Sequence, residues 1–174
     1  MKTNCIQFFL LILLYSTSYS QIMKNDKQIS SEMADRMAIK NSVDTFSILA
    51  DQKETQKQTL LFTEDAIVES VSQGRPGTIL KGRKQIGDAF AAFLALFDTV
   101  YHINGQQTVT INGDKAHGIS YCLVTLIGNE NGKKMKTTLG VYYNDDFVKK
   151  DNQWLISKRV STFAWQDKTE LAFN

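Results

Sequence analysis

Four runs of alternating apolar and polar residues dominate the second half of the chain. Alternation places successive side chains on opposite faces of a strand. Short polar turns separate the runs, and two turns contain Asn-Gly, a strong hairpin signal, at 112–113 and 131–132. The sequence therefore predicts a four-stranded antiparallel meander between Thr99 and Trp165. The predicted strands are Gln107–Ile111, Ile119–Ile127, Thr138–Val148 and Trp154–Ala164.

The first half of the chain carries helical periodicity instead. From Ser30 to Ala50 apolar residues recur at steps of three and four, with Ser30 or Ser31 as the N-cap. A second, shorter helix is predicted to begin at Asp51, because 51–54 has the form of a capping box. It would close at Leu60, Leu61 and Phe62.

A short hairpin and a third helix complete the predicted elements. Ala66–Val71 reads as a strand, and the Gly- and Pro-containing segment 72–77 reads as a turn. Apolar spacing of three and four then predicts a helix from about Arg83 to Leu96. Helices that precede a meander favour an α+β fold, with about three N-terminal helices packed on one face of a curved, mostly antiparallel sheet.

The first 20 residues have the composition of a secretory signal. Lys2 is followed by an uncharged segment from Cys5 to Ser20, which ends in the small residues of 18–20. We expect cleavage before Gln21 and export to the periplasm or the medium. An uncleaved anchor is the alternative, but the apolar core is shorter than the roughly 20 residues that cross a bilayer.

Residues 21–174 would remain after cleavage, a length that suits one domain. We predict a flexible leader over 21–29, a single domain over 30–166 and a C-terminal tail over 167–174. Cys122 would be the only thiol left, so no intrachain disulfide is expected. The formal net charge is only +2, with Lys and Arg scattered among acids, which gives no indication of a nucleic-acid partner.

Three phrases, at 34–39, 61–66 and 112–116, resemble the nuclear-transport-factor-2-like superfamily and, within it, the SnoaL-like group of polyketide cyclases and scytalone-dehydratase-like relatives. The resemblance covers roughly 31–165. It implies a cone in which a bent sheet wraps a long helix and leaves a deep apolar pocket for dehydration, isomerisation, cyclisation or binding alone. It also implies a homodimer through the sheet. We expect Leu139, Val141, Tyr143, Phe163 and Trp165 to supply the apolar outer face.

The resemblance further implies an Asp-His pair. His102 matches the catalytic histidine of the dehydratase-like relatives, and Asp51 matches the aspartate that partners it. Such a pair suits proton transfer, because imidazole titrates near neutrality and a carboxylate fixes its tautomer. Two structural alternatives remain open: Asp51 as a helix N-cap, and His102 as a hydrogen-bonded core or rim residue. His117 is expected to be exposed.

The sequence also departs from the dehydratase-like pattern. Leu126 stands where those relatives place a second histidine, and Ala50 stands where they place a tyrosine. A phenol from the sheet could instead polarise a carbonyl group. The predicted pocket-lining residues are Phe46, Phe90, Tyr121 and Tyr143.

Other kinds of site receive no support. Two distant histidines and one cysteine do not form a usual zinc site, and no nucleotide fingerprint is present, so neither metal nor cofactor is expected. Asp145 and Asp146 are adjacent in a strand, so we expect them to face solvent or to mark a bulge. Two hypotheses stay open: a cofactor-independent lyase or isomerase for a small apolar carbonyl compound, and a non-catalytic protein that binds a small hydrophobic ligand or a protein partner.

Overall fold

The computed structural model describes residues 3–72 and 74–171, with side chains described from 21 onward except at 22 and 25. The chain divides into two compact units, Met1–Met37 and Ala38–Asn174. The apolar run and the cleavage site predicted for the export signal lie outside the residues whose side chains are described. The end of the predicted C-terminal tail, 172–174, also lies outside the described residues.

Helix α1 spans Thr3–Asp51, a segment without glycine or proline. It includes 21–29, where the sequence predicted a loose leader, so Ser30 and Ser31 lie within the helix rather than at its N-cap. Glu32 and Arg36 form an exposed i,i+4 ion pair at 2.7 Å in the first unit. Among the residues that the structure describes, no helix is both long and apolar enough to cross a membrane.

Two further helices follow, α2 over Thr55–Thr59 and α3 over Gly82–Leu94. The predicted capping box at 51–54 is wrong. Asp51 is the last residue of α1, and Lys53 turns the chain with a positive φ of 58°. Glu54 then takes the N-cap position of α2 without a capping side-chain hydrogen bond. The carboxylate of Asp51 is thereby left for a different contact.

Six strands form one sheet in the order β2-β1-β6-β5-β4-β3. Every neighbouring pair is antiparallel except β1 and β6, which run parallel. Pro76, predicted to lie in a turn, belongs to edge strand β2, where a missing N–H is tolerated. The α+β class with helices on an open, curved, mostly antiparallel sheet is confirmed. The strands are β1 Phe62–Ser72, β2 Arg75–Lys81, β3 Thr99–Asn112, β4 Lys115–Glu130, β5 Lys133–Lys150 and β6 Gln153–Glu170.

The hydrophobic core lies between the helices and one face of the sheet. The buried face of α1 follows the helical repeat and carries Ile39, Val43, Phe46 and Ala50. Edge-to-face aromatic contacts join this face to the sheet, because the Phe46 ring lies 6.0 Å from Phe62 and 5.8 Å from Tyr143.

The apolar outer face predicted for dimerisation is wrong for four of its five residues. Leu139, Val141 and Tyr143 are buried beneath the helices, because the odd-numbered positions of this part of β5 point inward. Phe163 also packs against the core, whereas Trp165 is half exposed. The large apolar side chains exposed on the opposite face of β3 and β4 are Tyr101, Ile103, Tyr121 and Leu123.

Candidate functional site

A cavity of about 410 Å³ lies between the helices and the inner face of the sheet. Most of its wall is apolar, which suits a small hydrophobic ligand. A few polar side chains interrupt this wall, and they include Gln58, His102, Tyr143 and Ser161. The apolar wall includes Phe46, Phe90, Phe93, Val124, Leu126 and Leu139.

The last residue of α1 and strand β3 bring Asp51 and His102 together at this wall. The Oδ1 atom of Asp51 lies 2.6 Å from Nδ1 of His102. The backbone N–H of His102 also donates to Oδ2 of Asp51, at 3.2 Å. One carboxylate therefore holds both the backbone and the ring of His102, and the imidazole side chain is only 7% exposed.

A second contact fixes α1 against β3 beside this pair. Asn104, two residues after His102, donates from Nδ2 to Oδ1 of Asp44 at 2.9 Å and accepts from the hydroxyl of Ser47 at 3.0 Å. Because both partners belong to α1, the helix and the strand are joined on the N-terminal side of Asp51. This arrangement limits movement of the carboxylate relative to the imidazole.

The environment favours a neutral imidazole. Burial lowers the pKa of His102 below its ordinary value, and this effect outweighs the opposing contribution of Asp51. The proton of the neutral ring belongs on Nδ1, where it donates to the carboxylate. Nε2 is then the lone-pair nitrogen, so the ring can accept a proton there.

Three of the four residues predicted to line the pocket do so in the structure. Phe46, Phe90 and Tyr143 are part of the cavity wall. Tyr121 is not: its side chain is half exposed on the other face of β4 and lies beside Tyr142, with 5.8 Å between the ring centroids. The physical reason is strand alternation, since Ser120 and Cys122 take the buried positions on either side of Tyr121.

The two positions that depart from the dehydratase-like pattern also contribute to the wall. Leu126 and Ala50 are buried and border the cavity. At both positions an apolar side chain therefore stands where the resemblance implies a histidine or a tyrosine. His102 is the only histidine of the described wall.

A buried ion pair that the sequence did not predict lies behind the wall. Arg159 donates from Nε and Nη2 to both oxygens of Asp145, at 2.8 and 2.7 Å, and both residues are fully buried. The guanidinium lies 4.1 Å from the ring centroids of both Phe46 and Tyr143. The expectation that Asp145 faces solvent or marks a bulge is wrong, because its side chain points inward from β5.

Two further groups near the wall are kept protonated. Burial raises the pKa of the Cys122 thiol to about 11 and also raises the pKa of the Tyr143 phenol. The thiol is therefore a weak nucleophile at neutral pH. Tyr143, by contrast, keeps a neutral phenol that is hydrogen-bonded with Cys122 and would donate to a ligand oxygen in place of that partner.

The remaining predicted polar residues lie away from the cavity. His117 and Asp146 are exposed and paired, with 2.8 Å between Nδ1 and Oδ1. A register shift occurs after Asp146 in the pairing of β5 with β6. Within the described part of the chain, no three His, Cys, Asp or Glu side chains come together as a metal-binding group.

Comparison with known proteins identifies the family. A model of the SnoaL-like domain matches residues 31–160, and the chain therefore belongs to the SnoaL-like domain family. An uncharacterised protein of Mycobacterium tuberculosis is 26% identical over 137 residues, which cover 78% of this chain and 90% of that protein.

Two solved structures share the fold. A candidate scytalone dehydratase from Novosphingobium aromaticivorans has a TM-score of 0.67 at 19% identity, covering 82% of this chain and 91% of its own. A hexachlorocyclohexane dehydrochlorinase has a TM-score of 0.66 at 20% identity, covering 81% and 91%. The expected nuclear-transport-factor-2-like, SnoaL-like family is thus confirmed, and at these identities the two structures establish the fold alone.

Proposed function

We propose that this protein is a cofactor-independent lyase or isomerase of the dehydratase or cyclase type, acting on a small, largely apolar carbonyl compound. The observation that carries the proposal is the 2.6 Å contact of Asp51 with His102 at the wall of an apolar cavity. The names of the two structural neighbours, a dehydratase and a dehydrochlorinase, both describe elimination reactions. A positioned base in a site that excludes water promotes an elimination.

Each side chain has a defined part in the proposed reaction. Nε2 of His102 takes a proton from the carbon next to the carbonyl group, and the C–H electron pair moves into an enolate. Asp51 stabilises the imidazolium, and the Tyr143 phenol donates to the carbonyl oxygen. In a dehydration, the enolate expels the β-hydroxyl group, and the imidazolium returns its proton so that water leaves. In an isomerisation, the proton returns to a different carbon.

Proton exchange tests the first step without knowledge of the natural substrate. Acetophenone in D₂O is the probe, and the loss of its methyl ¹H signal in NMR spectra measures exchange at the α-carbon. We expect His102→Gln to slow exchange by about 10²-fold or more, the usual contribution of a positioned base. Asp51→Asn is expected to slow it as well, because an amide does not stabilise the imidazolium.

His117→Gln is the matched control. It removes the other histidine, which is exposed and paired with Asp146, and we expect exchange at the wild-type rate. Equal rates for the wild type and His102→Gln would refute the enzymatic proposal.

A non-catalytic pocket protein is the second candidate function. Leu126 favours it, because an apolar side chain borders the cavity where the dehydratase-like relatives carry a second histidine. Such a protein would bind acetophenone, as measured by titration calorimetry, without exchanging its protons. Binding of the probe to both wild type and His102→Gln, with no exchange in either, would support this function.

Export and self-association are separate proposals. The composition of residues 1–20 supports cleavage before Gln21, which mass spectrometry of the protein recovered from outside the cytoplasm would test. The exposed apolar residues of β3 and β4 support a homodimer through the outer face of the sheet, in place of the residues first predicted. A monomer in sedimentation at high micromolar concentration would refute the dimer.

A further inference from the structure

Gln58 is a buried amide in the cavity wall with a role still unassigned. Its side chain is 1% exposed, and Nε2 donates to the backbone carbonyl of Phe46 at 3.0 Å. This contact fixes the orientation of the Gln58 amide. The carbonyl oxygen of Phe46 can only accept a hydrogen bond, so the side-chain nitrogen of Gln58, which is the donor, must face it. Oε1 of Gln58 therefore points away from the Phe46 carbonyl group, and it has no hydrogen-bond partner among the described residues.

Packing holds this amide in place from two sides. The bond to Phe46 ties it to α1. The neighbouring Thr59 lies against α3, where its methyl group would be only 2.9 Å from a Cβ added to Gly87. The short helix α2 is thus fixed between two longer helices, and Gln58 has little freedom to turn its oxygen toward solvent.

A buried carbonyl oxygen without a partner lowers stability, and such groups are uncommon in native proteins. A methionine or leucine at 58 would fill the same space without this loss. Another polar side chain of the wall is already satisfied, since the Ser70 hydroxyl accepts from the backbone N–H of Thr78 at 2.9 Å. Gln58 therefore differs from this neighbour in having an unused acceptor.

The structure assigns Gln58 Oε1 as the acceptor for a hydroxyl or N–H group of the ligand. The ligand is then a mainly apolar molecule with one such donor. An uncharged ligand fits best, because no Asp, Glu, Lys or Arg side chain is part of the described wall. The prediction that the substrate has a carbonyl group rests on the proposed function. The prediction that the ligand has a hydrogen-bond donor does not, because a pocket that only binds would use Gln58 in the same way.

Matched aromatic ketones test this assignment. The ortho, meta and para isomers of hydroxyacetophenone each have a fluoroacetophenone counterpart of similar shape that lacks the donor. Binding to the full chain is measured by titration calorimetry, at a pH that keeps the phenols protonated. We expect the best hydroxy isomer to bind the wild type about tenfold or more tightly than its fluoro counterpart, a ratio that corresponds to one well-placed hydrogen bond.

Two variants separate recognition by Gln58 from general packing. In Gln58→Met the preference for the hydroxy isomer is expected to fall to about twofold or less, because sulfur is a weak acceptor. Gln56→Met, an exposed position on the same helix, is expected to keep the wild-type ratio. If Gln58→Met does not fold, ¹⁵N spectra of the wild type give the answer. The Gln58 side-chain amide signals should shift with the hydroxy ligand and remain unchanged with the fluoro ligand.

Equal affinity of the two series for the wild type, or an unchanged ratio in Gln58→Met, would overturn the assignment. No binding of either series would overturn it as well. A hydroxy preference without proton exchange would leave Gln58 as the acceptor in a binding protein and refute only the enzymatic proposal. Proton exchange that depends on His102, without tighter binding of the hydroxy isomers, would support the enzymatic proposal and refute only the assignment of Gln58.

Discussion

Replacing Asp145 by Asn should destabilise the protein more than most single changes. The variant leaves the Arg159 guanidinium buried without a counter-charge, and both residues are fully inaccessible in the wild type. Removing one partner of a buried ion pair costs about 3–5 kcal/mol. The ring contacts of Arg159 with Phe46 and Tyr143 persist in the variant and do not offset this loss. The Asn side chain still accepts one hydrogen bond, so we expect about 3 kcal/mol.

Urea unfolding followed by circular dichroism measures the effect. For a slope of about 2 kcal/mol per molar urea, typical of a small domain, the midpoint should fall by about 1.5 M without a change in slope. Asp146→Asn is the matched control, because Asp146 is adjacent but exposed, and its pair with His117 contributes little. That control should stay within about 0.5 kcal/mol of the wild type.

The double variant Asp145→Leu with Arg159→Met tests the reason for the loss. If the cost comes from an unpaired buried charge, removing both charges should recover more than half of the stability lost in Asp145→Asn. A shift in Asp145→Asn no larger than in Asp146→Asn would refute the reasoning. A double variant that is less stable than Asp145→Asn would refute it too.

Three other outcomes can be checked directly. The rate of proton exchange from acetophenone should fall in acid with a midpoint below pH 6.5, because burial lowers the pKa of His102, and a midpoint at or above 6.5 would contradict this. The contribution of His102 to the stability of the protein should be full above pH 6.5 and should decline as the pH falls through the folded-state pKa. In Gly140→Ala the new Cβ would come within 2.0 Å of Nε1 of Trp165, so the half-exposed ring should move, with a shift in tryptophan fluorescence and a loss of about 1 kcal/mol. Cys122 should resist iodoacetamide in the folded protein and react in urea, because burial raises its pKa to about 11; equal rates in both states would contradict this.

The meander could be predicted because alternation and Asn-Gly turns are local signals. The parallel pairing of β1 with β6 could not, since it joins Phe62–Ser72 to 156–163 and neither segment carries a local signal that identifies its partner. Local signals also failed at Asp51, where a capping box and a helix C-terminus fit the same residues. The distinguishing contact is with His102, 51 residues further on.

Inward and outward positions on the strands were predictable only where one face is clearly apolar. Around Tyr121 both faces of β4 carry apolar residues, with Leu123 on one and Cys122 and Val124 on the other, so the sequence does not say which way the phenol points. Asp145 shares the alternation of Val141 and Tyr143, a signal that could have predicted its burial. Its partner Arg159 comes from another strand, and single-sequence patterns do not reveal such pairs.

The place of β6 in the sheet has a consequence for when the protein can fold. This strand, Gln153–Glu170, lies between β1 and β5 and pairs with both. During synthesis from the N-terminus, β1 and β2 therefore cannot join the other strands until the ribosome has released β6 as far as Phe163, the last residue that pairs with β1. A chain of this design stays incompletely folded throughout its elongation. If the proposed export takes place, that delay keeps the chain in the unfolded form that a general secretory channel accepts.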